Sequence, residues 1–223
     1  MKLVHPEWEK QIVFDFKRVP LVSIENSTYY YQVVEELYQQ TEGKEGAFVL
    51  SDDGEILDFR KHVQLLVSPW TMDFSTTAVT KRLCNRLQEE ANSEQHYMQT
   101  KEVMQHVLSY LQELEQELPI PLTYDWNPDV ANLFKAVHVQ VDTSDLNVME
   151  KMIEYMKLWT ELFGKTCFIF NQFRTYLPKS MRKEFYTCAM EEEIPFLLLE
   201  GVCHDTIEQE SCLIIDEDLC QIF

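Results

Sequence analysis

Polar side chains follow three short apolar segments in the last third of the chain, at the point where each segment ends. The segments are residues 166–170, 196–199 and 213–215. They are followed by Asn171, Glu200 and Asp216, and a helical stretch separates the first two segments. This strand–helix–strand order, with continuous apolar strands, is typical of a parallel sheet that is buried on both faces. Ligands of such sheets bind beyond the carboxyl ends of the strands, so the pattern predicts a nucleotide hydrolase.

In such a hydrolase Asp216 would hold the metal ion and Asn171 would orient the attacking water. The phosphate-binding loop that this chemistry needs is missing, however. Residues 164–166 (Gly-Lys-Thr) resemble its end, but Trp159 stands where the motif needs its first glycine, and the segment leads into a strand instead of a helix. With glycine at only 5 of 223 positions, the chain offers no other such loop. A degenerate nucleotide hydrolase therefore stays only as an alternative.

Two further groups have residue types that suggest catalysis. Cys203, His204 and Asp205 combine a nucleophile, a base and an acid, but adjacent side chains point in different directions, so the base cannot reach the nucleophile. The six histidines are scattered and form no HExxH pair, which gives a catalytic metal no support. We therefore expect no enzymatic activity from either group.

A candidate site for a hard cation lies in the middle of the chain. Asp125 and Asp129 belong to a segment that begins like a calcium loop, but Val130 and Ala136 replace the required glycine and glutamate. A looser oxygen cluster would add Glu115 or Glu117 from the preceding helix. The simpler interpretation is that the acids cap the next helix. Both interpretations stay open.

The chain is strongly acidic, with a formal net charge of −19. Nucleic-acid-binding domains are usually basic, so DNA binding requires that the few cations be concentrated on one surface. Two such groups occur on predicted helices: Lys81, Arg82 and Arg86, and further on Lys179, Arg182 and Lys183. Each group alone is typical of a solvated helix face. Together they hold six of the 19 cations, which indicates concentrated positive surface.

The predicted elements give an α/β fold. We expect a mostly parallel sheet flanked by helices, a P-loop-NTPase-like core lacking the P-loop, with an inserted α-helical hairpin leg. The predicted strands are residues 10–16, 20–25, 47–51, 55–59, 62–67 and 139–141, besides the three C-terminal segments. Helices are predicted to begin at Ser27, at Asn127 and at Ser144. The head comprises residues 1–74 plus 122–223, and the leg residues 75–121.

The leg is predicted from a long stretch without glycine or proline. Between residues 97 and 118 apolar side chains recur at alternating three- and four-residue steps, which is typical of a coiled-coil seam. Ser93 is predicted to cap this second arm. Six cysteines without metal-type spacing favour a reducing compartment, and no segment suggests a signal peptide or membrane span. We therefore expect a cytoplasmic protein.

Several local strings resemble one protein family. Residues 133–136, 139–145 and 149–151 are similar to the central block of the ring-forming accessory proteins of type II-A CRISPR loci, which act in spacer acquisition. Residues 165–171, 176–177, 196–200 and 215–218 continue the similarity in order. Asp73 and Ser75 stand where that family has an aspartate and a small polar residue before its helical arm. The chain resembles the short form of the family.

The resemblance implies a homotetrameric ring that encircles linear double-stranded DNA independently of sequence, without enzymatic activity. It also implies calcium near the junction of head and leg, and the CRISPR integrase subunits and effector nuclease as partners. Where relatives have an acidic run, this chain has residues 119–121 (Pro-Ile-Pro), which leaves Glu115, Glu117, Asp125 and Asp129 as the expected ligands. The alternative to DNA binding is a protein-interaction adaptor that uses the seam at residues 97–118.

Overall fold

The structure, a computed structural model, describes residues 1–202 and 205–223. The chain folds into two compact units, Met1–Met72 with Thr143–Phe223, and Asp73–Asp142. The second unit contains the predicted leg, residues 75–121, and continues beyond it to Asp142. We describe the two units separately.

Ten strands and seven helices form these units within the described residues. The strands are β1 (Lys2–Val4), β2 (Ile12–Val13), β3 (Val19–Ile24), β4 (Val49–Asp52), β5 (Glu55–Leu57), β6 (Val63–Leu66), β7 (Cys167–Asn171), β8 (Phe196–Glu200), β9 (Glu210–Ile215) and β10 (Gln221–Ile222). The helices are α1 (Ser27–Thr41), α2 (Phe59–His62), α3 (Thr77–Ala91), α4 (Tyr97–Glu115), α5 (Val130–Ala136), α6 (Val148–Phe163) and α7 (Lys179–Glu191).

The first unit is built on two sheets. The larger has the strand order β10-β9-β3-β8-β7-β6, in which all neighbours are parallel except β10 with β9. The smaller is antiparallel, with the order β2-β1-β4-β5. Asp53 and Gly54 join β4 to β5 with φ values of 49° and 87°, as a tight hairpin turn requires. The α/β class and the mostly parallel sheet flanked by helices are thus confirmed.

The central strands are buried on both faces, as their continuous apolar sequences predict. On one face Val22, Ile169 and Leu197 pack with Leu37 of α1 and Leu50 of the smaller sheet. Because successive side chains of a strand point to opposite faces, the alternate residues belong to a second layer. That layer is aromatic and includes α7.

The aromatic layer joins β7 and β8 to the chain that follows them. The ring of Phe173 lies 4.9 Å from Phe170 and 4.9 Å from Phe185, and Phe185 lies 5.5 Å from Phe196. Phe185 is fully buried. Tilted and edge-to-face pairs of this kind add to the stabilisation that burial alone provides.

The second unit consists of α3, α4 and α5. Val130 and Ala131 of α5 are buried, and α5 packs against α3, which explains why this unit extends past residue 121. The predicted strand at residues 139–141 is wrong, because this unit contains helices only and offers no strand to pair with. The apolar seam of α4 is partly exposed, with Val107, Leu111 and Leu114 at 38%, 37% and 43%.

Several predicted helix starts are displaced by a few residues. Asn26, not Ser27, caps α1, and α5 begins after Asp129, whose carboxylate accepts the Ala131 amide. Helix α4 begins at Tyr97, and Ser93 does not cap it. Helix α6 begins after Asn147, not Ser144. There the Asn147 and Glu150 side chains each accept the other's backbone amide, so two otherwise unpaired donors are satisfied.

We predict that Phe185→Ala lowers the free energy of unfolding by about 3–5 kcal/mol, because it removes a fully buried ring from the aromatic layer. Tyr38→Ala is the matched control, since that ring is 58% exposed on α1, and its cost stays within about 0.5 kcal/mol. Urea unfolding of both variants measures the difference. Equal losses of stability would contradict the assignment of Phe185 to the core.

Candidate functional site

The polar residues at the carboxyl ends of the strands are engaged inside the protein. The Tyr30 hydroxyl donates to Asn171 Oδ1 at 2.5 Å. The Arg174 amide donates to Glu200 Oε1 at 2.9 Å. Asp216 Oδ1 accepts two backbone amides of the turn that follows it, at 3.0 and 2.8 Å. These three side chains therefore brace loops in this structure.

The first connection between strand and helix in the parallel sheet also lacks a phosphate-binding loop. Only Glu25 and Asn26 separate β3 from α1, and Asn26 uses its side-chain oxygen to cap the helix at the Tyr29 amide, 3.0 Å away. The Asn26 side chain therefore satisfies one of the amides at this helix N-terminus, and an acid, Glu25, directly precedes it in the sequence.

The Gly-Lys-Thr segment lies at a helix end, as its sequence context indicates. Gly164 closes α6 with φ 84°, and its amide donates to the Thr160 carbonyl. Lys165 Nζ lies 2.5 Å from Asp52 Oδ2 of the smaller sheet. The lysine that would reach a phosphate in a P-loop is thus paired with a carboxylate.

A buried ionic cluster lies between α7 and the sheet. Its members are Arg174, Arg182, Tyr186, Glu200, Asp205 and Glu210. Arg174 Nη2 lies 2.7 Å from Asp205 Oδ1 and 3.8 Å from Glu210 Oε2. The Tyr186 hydroxyl donates to Glu210 Oε1 at 2.9 Å. Two arginines thus face three carboxylates, of which Glu200 and Glu210 are buried and Asp205 is half-exposed at the edge of the cluster.

This cluster changes the interpretation of the second basic group. The sequence predicts Arg182 on a DNA-binding surface, but its side chain is 7% exposed and its Nη2 lies 3.3 Å from Asp205 Oδ2. The Arg182 guanidinium is therefore buried and paired through Nη2, and it is not displayed on the surface. Lys179 and Lys183 are exposed, with Lys179 Nζ 3.6 Å from the same carboxylate.

A signal for the buried arginine exists in the sequence. Four residues of α7 are buried, and they recur with the helical period: Arg182 is followed by Phe185, Tyr186 and Ala189 at three, four and seven positions further on. The helical period therefore places Arg182 on the inner face of α7. The pairing of Arg182 with Asp205 and that of Arg174 with Glu210 were missed, because nothing local in the sequence brings these residues together.

Burial dominates the titration of Glu200. It raises the pKa of this carboxyl to about 7, against the opposing effects of the Arg174 amide and of the Arg174 and Arg182 charges. At Asp205 the largest single effect is desolvation, which acts to raise the pKa. The neighbouring Arg174, Arg182 and Lys179 together outweigh it, and they hold the pKa below its usual value. Glu200 is therefore a carboxyl of this cluster that changes charge near neutral pH.

The first basic group lies on the surface of the second unit. Lys81, Arg82 and Arg86 are all exposed on α3. Arg86 Nη1 lies 3.3 Å from Glu89 Oε2, and both of these side chains are more than 60% exposed. An exposed pair of this kind contributes little to stability and is screened by salt. The three cations are therefore accessible to an anionic partner.

The four expected calcium ligands include three that serve local protein contacts. Glu115 Oε1 accepts the Leu122 amide at 2.7 Å, and Asp125 Oδ1 accepts the Asn127 amide at 2.9 Å. Asp129 Oδ1 accepts the Gln88 side chain at 2.8 Å, in addition to its capping bond. Glu117 is exposed.

Among residues 1–202 and 205–223, no group of three or more His, Cys, Asp or Glu side chains is placed to hold a metal ion. Calcium binding by the four acids stays a prediction, and the hydrogen bonds of Asp129 agree with the capping interpretation.

Three remaining predictions concern other parts of the chain. Cys203 and His204 of the triad-like sequence lie outside the described residues, whereas Asp205 belongs to the ionic cluster. The five described cysteines form no disulfide. In the described part of the chain, no helix has the length and apolar character needed to span a bilayer.

Comparison with known families identifies one match. A family model with the description CRISPR-associated protein (Cas_Csn2) matches residues 40–219, which is 180 of the 223 residues. No curated protein matches the chain significantly. The matched segment includes the whole second unit, the ionic cluster and most of the parallel sheet.

We predict that Glu200→Gln flattens the pH dependence of stability. A carboxyl whose pKa rises from 4.5 to about 7 on folding stabilises the protein fully below its unfolded pKa and loses that contribution as pH rises through 7. The loss amounts to roughly 3 kcal/mol. As the pH rises from 5 to 8, the wild type should therefore lose stability that the variant does not lose, so the difference between them should shift in favour of the variant.

Urea unfolding at both pH values tests this expectation. Glu184→Gln on the exposed side of α7 is the matched control, and its stability should follow the wild type at both pH values. If Glu200→Gln also followed the wild type, burial would not govern the titration of Glu200.

Proposed function

The chain belongs to the CRISPR-associated Cas_Csn2 family, and from that premise we propose that it binds the ends of linear double-stranded DNA without reading sequence. In this proposal the protein is not an enzyme. It assembles as a homotetrameric ring that encloses the duplex and acts in spacer acquisition. The CRISPR integrase subunits and effector nuclease are its proposed protein partners.

The observation that supports DNA binding best is the exposed cationic surface of α3, formed by Lys81, Arg82 and Arg86. Lys and Arg side chains bind phosphates independently of the base sequence, and such contacts make affinity salt-dependent. Lys179 and Lys183 on α7 add two exposed cations in the first unit. A chain with a net charge of −19 repels DNA over most of its surface, which favours binding at such cationic positions.

The absence of an enzymatic role is supported by the engagement of Asn171, Glu200 and Asp216. Each of these side chains accepts a hydrogen bond from the protein itself, and Lys165 is paired with Asp52. A nucleotide hydrolase would need these groups directed towards a phosphate and a metal ion. The degenerate-hydrolase alternative therefore has no geometric support in the described residues.

Self-association is supported by the exposed apolar seam of α4, which includes Val107, Leu111 and Leu114. Apolar side chains repeating at these steps pack favourably against another helix. The protein-interaction adaptor uses the same seam but needs no DNA, so DNA binding separates the two proposals. Calcium binding by Glu115, Glu117, Asp125 and Asp129 stays part of the proposal, and it is independent of the DNA contacts.

Charge reversal on α3 tests the DNA surface. Arg82→Glu with Arg86→Glu should weaken binding to linear duplex for every sequence, and should reduce the slope of log K against log salt by about 1 for each phosphate that is no longer bound. Lys44→Glu with Arg60→Glu is the matched control, because both residues are exposed in the first unit and the charge change is the same. Equal weakening by both double variants would remove α3 from the interface.

The ring makes a topological prediction. Linear duplex should bind and covalently closed circular duplex of the same length should not, because a closed protein ring cannot thread a circle. Gel-shift titration of the two forms, with cleavage of the circle restoring binding, measures this. Comparable affinity for the closed circle would refute encirclement while leaving DNA binding itself intact.

A further inference from the structure

We propose that a cavity at the amino ends of β3 and β9 binds the phosphomonoester of a nucleotide, either free or at a strand terminus. The cavity has a volume of about 370 Å³ and lies wholly within the first unit. Lys10, Lys17 and Arg18 line it, together with the apolar residues Ile12, Pro20 and Leu213. This proposal does not depend on the ring or on the α3 surface.

The charge around this cavity is opposite to that of the chain. Overall 38 acids outnumber 19 bases, yet three cations and a single acid, Asp15, line the cavity. The Asp15 carboxylate accepts the Lys17 amide at 3.0 Å. Within the described chain, Lys10, Lys17 and Arg18 make no salt bridge and are exposed. A net positive charge is therefore available to an anionic ligand.

A tight turn places Lys17 and Arg18 beside the cavity. Phe16 has φ 58°, a left-handed backbone that bulky residues rarely adopt and that costs roughly 1–2 kcal/mol. The Asp15 carboxylate holds this turn, and the Val19 amide then donates to the Gln209 carbonyl at 2.7 Å as the chain enters β3. The neighbouring structure thus fixes two adjacent cations at the strand start.

The chemistry of the lining selects the ligand class. A phosphomonoester has a charge between −1.5 and −2 near pH 7, which matches three cations and one carboxylate. The apolar side chains accommodate a ring that free phosphate lacks, and Gln11 and Ser211 offer hydrogen bonds. A volume of about 370 Å³ falls in the range of small-molecule sites. A nucleoside monophosphate satisfies all three requirements.

Isothermal titration of the full chain tests the site with three probes. We expect 2′-deoxyadenosine 5′-monophosphate to bind, and 2′-deoxyadenosine and inorganic phosphate each to bind at least roughly ten-fold more weakly, because each lacks one half of the interaction. No binding of the monophosphate would overturn the proposal. Equal affinity for inorganic phosphate would overturn the assignment to a nucleotide.

Variants locate the binding. The double variant Lys17→Glu with Arg18→Glu should lower the affinity for the monophosphate at least roughly ten-fold. Val13→Trp should also weaken it by filling the cavity without changing its charge, since Val13 lines the cavity and is 40% exposed. Lys44→Glu with Arg60→Glu, equally charge-reversed and exposed elsewhere in the unit, should leave affinity unchanged. An equal loss of affinity in the control variant, or unchanged affinity in Val13→Trp, would show that the monophosphate does not bind in this cavity.

A competition experiment distinguishes a free nucleotide from a strand terminus as the source of the phosphomonoester. A 5′-phosphorylated trinucleotide should compete with the monophosphate if the cavity accepts a strand terminus, and should fail to compete if it accepts only free nucleotides. Its 5′-hydroxyl form should not compete in either case. Competition by the 5′-hydroxyl form would overturn recognition of the phosphomonoester.

Discussion

Burial of the central strands on both faces is the constraint on which the first unit depends. Leu21, Ile169 and Leu198 are inaccessible to solvent, so each face of the sheet needs its own covering layer. The α1 helix and the smaller sheet cover one face, and the aromatic side chains around Phe185 cover the other. Burial of this extent stabilises the fold by the hydrophobic effect, and it leaves the strand termini as the positions where polar groups must be satisfied.

The buried ionic cluster follows from that constraint. Glu200 ends one buried strand and Glu210 begins another, so both carboxylates lie under the covering layer and need partners. Arg174 and Arg182 supply them from the segment that covers this face. Paired charges of this kind add little net stability compared with an apolar core, but removing one partner is costly. The carboxyl end of β8, at the edge where parallel sheets ordinarily bind ligands, thus holds a carboxylate that is bonded within the protein.

The strands and helices were predictable where a single local pattern determines them. The Asp-Gly hairpin, the apolar C-terminal strands and the end of α6 at Gly164 all follow from neighbouring residues. The strand predicted at residues 139–141 is wrong because a strand forms only beside another strand, and sequence does not show which partners are near. The same limit applies to the site. The exposed cations of α3 were found, whereas the pairing of Arg182 with Asp205 depends on the fold bringing together residues 23 positions apart.

The distribution of charge between the two edges of the parallel sheet bears on where an anion would bind. At the carboxyl edge, Glu25 and Glu200 are acids, and Asn171 is bonded to Tyr30. At the amino edge, Lys17 and Arg18 face a cavity without a salt bridge in the described chain. Phosphate requires fixed cations or free backbone amides. Near the carboxyl edge Arg174 and Arg182 are paired with Asp205, whereas Lys17 and Arg18 at the amino edge make no salt bridge within the described chain. An anion attracted to the first unit should therefore bind at the edge opposite to the one that parallel sheets ordinarily use.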